Sequence, residues 1–277
     1  MCDEDNGWLA KAQLMATAST QNPMLLPKLS VATWNICGAQ PNILSRVDYM
    51  IKVCTSDRVK CDVICLQEVP LDFVSRIVDR FSSKDYSVAH SISQERPIGE
   101  LVAFKGCLYE GFEFIPFSDQ YDESFGMSVV HLEREGMQLV VVTGQLDPTS
   151  SEIRSKQFDD MLSLFKRSGK AVVIAFDTNI TEAEDQPWLP DGWFDVWEKR
   201  GCPRETRWTF DSRRNSLVVR GQQERLDRIV YFDGDRTKSL IPKGFGLLGT
   251  APCGKSGFAS DHFGVWSLFL LEQKSWL

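Results

Sequence analysis

Short apolar runs rich in β-branched side chains punctuate this chain, and several lead straight into a polar island. Leu29-Ser30-Val31-Ala32 leads into Thr33-Trp34-Asn35, and Asp62-Val63-Ile64-Cys65 into Leu66-Gln67-Glu68. Ala171-Val172-Val173-Ile174 leads towards Asp177-Thr178-Asn179, while Ser260-Asp261-His262 opens the run Phe263–Leu271. Runs of this length and composition read as buried strands. Acid, amide and imidazole groups are costly to bury unpaired, so such groups at strand ends predict convergence on one site. One alone would be a cap or a turn former. Four islands, in three chemical types, point to chemistry.

Between the strands the apolar spacing changes to that of helices. Ile43, Val47, Ile51 and Cys54, with Pro41 just ahead, predict a helix over about Asn42 to Thr55. Phe73, Val74, Ile77, Val78 and Phe81 predict a second helix after Pro70. Tyr86–His90, Leu101–Phe104, Phe112–Phe117, Met127–Leu132 and Gln138–Val142 read as antiparallel strands, with a hairpin turn at Glu135-Gly136. Thr149-Ser150-Ser151-Glu152 has the pattern of a capping box opening a third helix, with Ile153, Phe158, Leu162 and Phe165 inward and Gly169 at its end. Further strands are expected at Leu226–Phe232, Ser239–Ile241 and Phe263–Leu271. No repeat or linker interrupts this order, which fits one α/β domain of two packed sheets with outer helices.

At 277 residues and 43% hydrophobic content the chain can fill a sizeable core. No apolar stretch approaches the ~20 residues needed to cross a bilayer, and no membrane partner is expected. Residues 1–27 lack the pattern of a secretion signal and are expected to be a flexible extension before a single domain over 28–277. The eight cysteines are scattered without a zinc pattern, which predicts free thiols in a reducing compartment, nucleus or cytoplasm. The net charge of −7 argues against whole-surface attraction to nucleic acid. Yet Lys199 to Arg228 holds nine bases against four acids, so that segment is +5 and the remainder −12. Trp208 and Phe210 interrupt the bases, as in a local phosphate contact; a solvated loop with paired charges is the plainer alternative.

The islands supply candidate parts for phosphoryl chemistry. Strand alternation would point Asp177 and Asn179 the same way, to orient a water or a phosphate oxygen. Glu68 and Asn35 are hard oxygen ligands of the kind magnesium takes, few in number with water completing the shell. His262 as imidazolium can donate to a phosphoryl oxygen, with Asp261 expected to hold it charged and oriented. Alone, Asp261-His262 would read as a turn opening the last strand. A one-metal phosphodiester hydrolase needs a hard cation, a positioned water and cationic help for the phosphate.

Read in order, Thr33-Trp34-Asn35, Leu66-Gln67-Glu68, Asp177-Thr178-Asn179, Leu226-Asp227-Arg228-Ile229 and Ser260-Asp261-His262-Phe263 resemble the endonuclease/exonuclease/phosphatase superfamily. Asp195-Val196-Trp197-Glu198, Thr209-Phe210-Asp211, Arg225-Leu226-Asp227-Arg228 and Ile241-Pro242-Lys243 resemble its tyrosyl-DNA phosphodiesterase 2 branch. The resemblance implies a four-layer α-β-β-α sandwich of two packed mixed sheets flanked by helices. It implies Mg2+-dependent hydrolysis, with Mn2+ as a substitute, of 5′-phosphotyrosyl or related phosphodiester bonds on nucleic acid. The partner would then be a single-stranded end or a protein–nucleic acid adduct. Glu68 and Asn35 match the metal-binding pair, Asp177 and Asn179 the catalytic Asp-x-Asn, and His262 the closing histidine. Asp227 would be the buried acid behind the site. Phe210, Leu217 and Val219 would form an apolar wall for the first nucleotides, with Trp208 beside them and Arg225 as a strand contact. The resemblance also implies a ubiquitin-binding helical domain in front, which is not expected within residues 1–27.

Two positions depart from the family pattern. Where it has Thr-Ser-His-Leu-Glu, this chain has Thr143-Gly144-Gln145-Leu146-Asp147, so Gln145 offers a neutral donor instead of a cation. Where it has glycine before the catalytic aspartate, this chain has Phe176, which alternation points into the core. These departures keep two other readings open. One is a weakened relative serving as a binding or scaffold subunit in a nucleic-acid-processing complex. The other is a phosphoesterase of the same fold acting on RNA or a small phosphate ester.

Overall fold

β-branched and aliphatic runs assemble two six-stranded sheets whose inner faces pack on each other. The computed structural model describes residues 27–117, 126–184, 189–234, 237–254 and 257–274. The expected N-terminal extension thus lies outside the described residues, apart from Pro27. Numbered along the chain, the strands of the first sheet are β1 (Lys28–Asn35), β2 (Val63–Pro70), β3 (Ser87–His90), β4 (Ile98–Phe104), β13 (Lys238–Leu248) and β14 (Gly264–Gln273). They lie in the order β13-β14-β1-β2-β4-β3. The second sheet contains β5 (Leu108–Pro116), β6 (Gly126–Arg134), β7 (Met137–Gly144), β8 (Ala171–Asp177), β9 (Trp193–Asp195) and β12 (Asp227–Asp233). Its order is β5-β6-β7-β8-β12-β9. A small ribbon, β10 (Phe210–Asp211) with β11 (Gln223–Glu224), stands apart. Each large sheet is mixed: β1 runs parallel to β2 and β7 parallel to β8, and the other pairs are antiparallel.

Helices cover the two outer faces. Helix α1 (Ile43–Cys54) buries Ile43, Val47, Met50 and Ile51, and α2 (Leu71–Ser82) buries Val74, Ile77 and Phe81, both against the first sheet. Helix α3 (Ser151–Lys166) lays Phe158, Met161, Leu162 and Phe165 on the second. A short α4 (Val196–Lys199) follows β9. Helix, sheet, sheet, helix: the expected four-layer sandwich is the architecture found.

Several local expectations shift. The N-cap of α3 is Ser150, whose hydroxyl accepts from Ile153 N, so the box read from Thr149 is offset by one residue and Ile153 is only half-buried. Strand β13 runs to Leu248, well past the expected Ile241. Pro242 sits at a register shift on this edge strand, a place where its missing N–H is tolerated. Beyond it the Trp266 ring fills the space beside Gly244 and Gly246, where an added Cβ would lie 2.9 Å from the indole. The Glu135-Gly136 turn is present, both residues having positive φ as a two-residue hairpin requires.

Candidate active site

Four strand ends and the loop before β14 bring the islands together. Asn35 closes β1, and its Nδ2 donates to Glu68 Oε1 and to Asp177 Oδ2, both at 2.9 Å. Glu68 lies where the β2–β4 register shifts, and its φ is +56°. A left-handed backbone at a non-glycine residue costs roughly 1–2 kcal/mol, and here it turns the carboxylate to the mouth of the sandwich. Gly38 packs against this turn: its N–H donates to Glu68 Oε2 at 3.2 Å, and a Cβ there would meet the Glu68 carbonyl at 2.2 Å. Cys37 and Asn179 also have positive φ, at +52° and +49°. Three left-handed non-glycine residues around one mouth is the clustering of backbone strain that marks functional sites.

Gln145 extends the set from β7. Its Nε2 donates to the same two carboxylate oxygens, Glu68 Oε1 at 3.1 Å and Asp177 Oδ2 at 3.2 Å. Two amides therefore gather one oxygen from each acid, which bare carboxylates would not do unaided. Burial pushes the Asp177 carboxyl up to about 7, with Asp227 adding to the rise and His262 opposing it. The strand stops at Asp177, so the expected alternation does not govern Asn179. Asn179 instead turns back through its own N–H to Asp177 Oδ1 at 3.1 Å, and its Nδ2 donates to the Leu146 carbonyl at 3.0 Å.

His262 is buried, with Nδ1 2.9 Å from Asp227 Oδ2. Burial opposes its charge, but the carboxylates of Asp227 and Asp177 outweigh it and raise the ring to about 10. At neutral pH it is an imidazolium, donating through Nδ1–H to Asp227. The acid that orients the ring is thus Asp227, a correction; its sequence neighbour Asp261 favours the charge only through space, as the smallest of the three carboxylate contributions. Asp261 is half-buried and within hydrogen-bond reach of the Ser260 hydroxyl and the Cys37 thiol. Asp227 is set in turn by Thr209, whose hydroxyl accepts from the N–H groups of Leu226 and Asp227, both at 3.0 Å.

Three side chains to which the sequence assigned no role at the site fix the loop carrying His262. Arg46 reaches from α1 to the carbonyls of Ile36, Cys37, Gln40 and Pro41 and, at 2.7 Å, of Ala259. Asn215 donates to the carbonyls of Ser260 at 2.8 Å and Asp261 at 3.0 Å. Trp34 donates its indole N–H to the His262 carbonyl at 2.9 Å, with Gly264 leaving room for the ring. Trp34 could be read as a strand aromatic, but nothing in the spacing of Arg46 or Asn215 betrays contacts made with distant backbone.

The residues around Glu68 fit a hard divalent cation. Carboxylate oxygens are the ligand atoms at the mouth; the expected Asn35 ligand is a correction, since its Nδ2 faces the carboxylates and its Oδ1 accepts from the Cys37 N–H at 2.8 Å, and the nearby Cys37 thiol is pushed up to about 12 by burial and by Asp261. A second cluster, Asp177, Asp227 and His262, has ligand atoms all within 4.8 Å of one another. Its closest contact, His262 Nδ1 to Asp227 Oδ2 at 2.9 Å, has the geometry of an ion pair beside the acid mouth.

Of the residues expected to form an apolar wall, Phe210 is the one with a described contact to the site. The Phe210 ring lies 5.1 Å from that of His262, edge to face, with Trp208 and Leu217 half-buried nearby in sequence and Val219 70% exposed. Arg225 is not a strand contact: it is 4% exposed, pairs with Asp195 at 2.6 Å and stacks over Trp197. Of the other bases in this segment, Arg228 is buried 3.9 Å from Asp195, Arg207 pairs with Glu182, and Arg204, Arg213, Arg214 and Arg220 are exposed.

One residue of the first departure, Gly144, meets the second, Phe176, sterically. Phe176 is fully buried among the side chains under α3, pointing away from the site, and its ring occupies the space over Gly144. A Cβ on Gly144 would lie 2.5 Å from that ring. Serine opposite glycine has become glycine opposite phenylalanine.

This architecture, with acids and amides converging at one mouth of a double-sheet sandwich, is the fold of the endonuclease/exonuclease/phosphatase proteins. A protein of that description from Bacteroides vulgatus superposes with a TM-score of 0.67 at 15% identity, over 89% of this chain and 99% of its own. More particularly, the chain is similar to tyrosyl-DNA phosphodiesterase 2, the resemblance that the motifs carried. It is 28% identical to the Homo sapiens protein over 246 residues, 85% of this chain but 66% of that protein's length. A structure of the Danio rerio protein humanized by 14 mutations superposes with a TM-score of 0.77 at 25% identity, covering 87% of this chain and 98% of that one. The Danio rerio protein complexed with single-strand DNA product gives 0.79 at 24%, with the same coverage. No family model matches the chain.

Proposed function

We propose that this protein is a metal-dependent phosphodiesterase that hydrolyses 5′-phosphotyrosyl or related phosphodiester bonds at single-stranded nucleic acid ends. The observation that carries this reading is the gathering of Glu68 and Asp177 on the shared amides of Asn35 and Gln145, with an imidazolium at His262 beside them. Similarity to tyrosyl-DNA phosphodiesterase 2 supports the tyrosyl linkage, and the single-strand DNA product bound by the Danio rerio protein supports the strand. Free thiols at Cys37, Cys54, Cys61 and Cys65 suit a reducing compartment, nucleus or cytoplasm.

Each residue then has a task. Glu68, its carboxylate held by the Asn35 amide N–H, would bind Mg2+, for which Mn2+ could substitute, and that ion would supply Lewis-acid stabilisation of the phosphate charge. Asp177, steadied by Asn35 and Asn179, orients the attacking water and accepts its proton. His262 donates from Nε2 to a phosphoryl oxygen as negative charge builds there, and Asp227 keeps the ring protonated and aimed. Gln145 adds a neutral donor at the same mouth. Phe210, backed by His262, offers a face for the first base, with Trp208, Leu217 and Val219 beside it.

The test is hydrolysis of a 5′-phosphotyrosyl single strand with and without Mg2+. Turnover should require the ion. Glu68→Gln, which removes one charge from a hard-cation site, should lower it by at least ~100-fold, equivalent to about 3 kcal/mol of barrier, without unfolding the protein. Chelator-resistant turnover, or a fully active Glu68→Gln, rejects the metal mechanism. An inactive wild type favours a binding subunit.

A further inference from the structure

Gln67, the middle residue of its island, takes no part in that chemistry, yet it is fully buried between the two sheets. Its Nε2 donates to Thr33 Oγ1 at 2.9 Å and to Thr143 Oγ1 at 2.7 Å. Thr33 lies two residues before Asn35 on β1, Thr143 two before Gln145, and Gln67 directly before Glu68 on β2. One amide therefore ties together strands from both sheets, one layer beneath the residues they carry to the mouth. The Thr143 hydroxyl also meets the Cys65 thiol, so it is held from two sides.

The other end of the amide is unmatched. Gln67 Oε1 is buried with no hydrogen-bond partner among the described residues. An apolar side chain of the same shape would fill this space without leaving a carbonyl unpaired, so packing alone does not account for a glutamine here. What glutamine adds is reach: two donor hydrogens in a fixed plane, spanning from β2 to a hydroxyl on each side. It also precedes the turn at Glu68, where the strand leaves regular pairing and the carboxylate's direction depends on how firmly the preceding residue is held.

We propose that Gln67 is a positioning residue. Through Thr33 and Thr143 it fixes the spacing of β1, β2 and β7 beneath the mouth, and so the placement of Glu68 and Gln145 around the cation. This rests on the reading of Glu68 as a metal ligand.

Two variants separate positioning from stability. Gln67→Met keeps the volume and removes both donors, leaving Thr33 without that partner and Thr143 with the Cys65 thiol alone. The triple variant Thr33→Val, Gln67→Met, Thr143→Val replaces the whole set with apolar groups of like shape, which should restore stability. Three readouts are taken on the full chain: thermal midpoint, Mn2+ binding by loss of the free-ion paramagnetic resonance signal, and single-turnover hydrolysis of a 5′-phosphotyrosyl strand. Gln67→Met should lower the midpoint and weaken Mn2+ binding by about 10-fold, as when outer partners of metal ligands are removed. The triple variant should recover the midpoint but not the Mn2+ affinity. Affinity that returns together with the midpoint, or that Gln67→Met leaves unchanged, overturns the inference. Should the triple variant fail to fold, Thr143→Val alone should give a smaller loss of Mn2+ affinity, and wild-type binding there overturns it equally. A wild type that binds Mn2+ without cleaving the strand rejects the proposed activity and leaves the positioning test intact. One that binds no Mn2+ overturns both.

Discussion

His262 carries its proton far above the range where a free histidine loses it, because the acids Asp227, Asp177 and Asp261 outweigh the effect of burial. The raised value has a definite sign in stability. The folded state binds a proton more tightly than the unfolded one, so the pair's contribution is complete below about 6.5 and is lost as pH rises through about 10. The thermal midpoint of the metal-free protein should therefore fall between pH 7 and pH 10. In His262→Gln that slope should flatten, with lower stability overall because Asp227 is left buried and unpaired. Parallel curves for the two proteins would mean that the ring is neutral in the wild type. At this scale the sequence was a good guide to which residues meet. Asn35, Glu68, Asp177 and His262 stood out because polar groups ending apolar runs need partners. It was a poor guide to who pairs with whom. Asp261 adjoins His262 in the chain, but Asp227 reaches it in space, and nothing in the spacing shows that Arg225 ends in a buried ion pair with Asp195.

Strands β7 and β8 lie side by side, and at their ends the pair Gly144 and Phe176 exchanges bulk. Removing the ring alone, Phe176→Gly, should cost about 3–5 kcal/mol through the cavity beneath α3. Adding a side chain alone, Gly144→Ser, should destabilise by overpacking, about 1–3 kcal/mol. The double variant should be more stable than the sum predicts, by about 0.5–3 kcal/mol, as for residues in direct contact. The Gly126 carbonyl, 2.6 Å from the same added Cβ, keeps the recovery from being complete. Urea titration of the four proteins closes this cycle; strict additivity would mean that positions 144 and 176 are independent. Whole elements with a clear period were legible: α1, α2 and the hairpin at Glu135-Gly136 fall where apolar spacing and turn chemistry put them. Those that depend on distant partners were not. Strand β13 continues through Pro242 and two glycines only because Trp266 lies over them, and β9, α4 and the β10–β11 ribbon are too short to show a period.

Across the whole molecule, charge is unevenly placed. A remainder of −12 surrounds a segment of +5, and the exposed share of that segment includes Arg213 and Arg214, in the loop that Asn215 fastens to the His262 turn. Strand binding should therefore weaken with salt in spite of the acidic total. Reversing both, Arg213→Glu with Arg214→Glu, should lessen the slope of log affinity against log salt by ~0.7 for each phosphate that an arginine no longer neutralises. An unaltered slope would make these arginines ordinary solvated surface.

Strand β1 lies between β2 and β14, and its Trp34 bonds to the carbonyl of His262, 228 residues further on. As the chain leaves the ribosome, β1 can take up β2 within a few dozen residues, but its other edge stays bare until nearly the whole of the described chain has been made. Chains stalled or clipped ahead of β14 would hold the Glu68 half of the mouth without His262, and would offer an open row of amides and carbonyls to their neighbours. Newly made protein should be most prone to clump in that interval, and quality control would have its best target there.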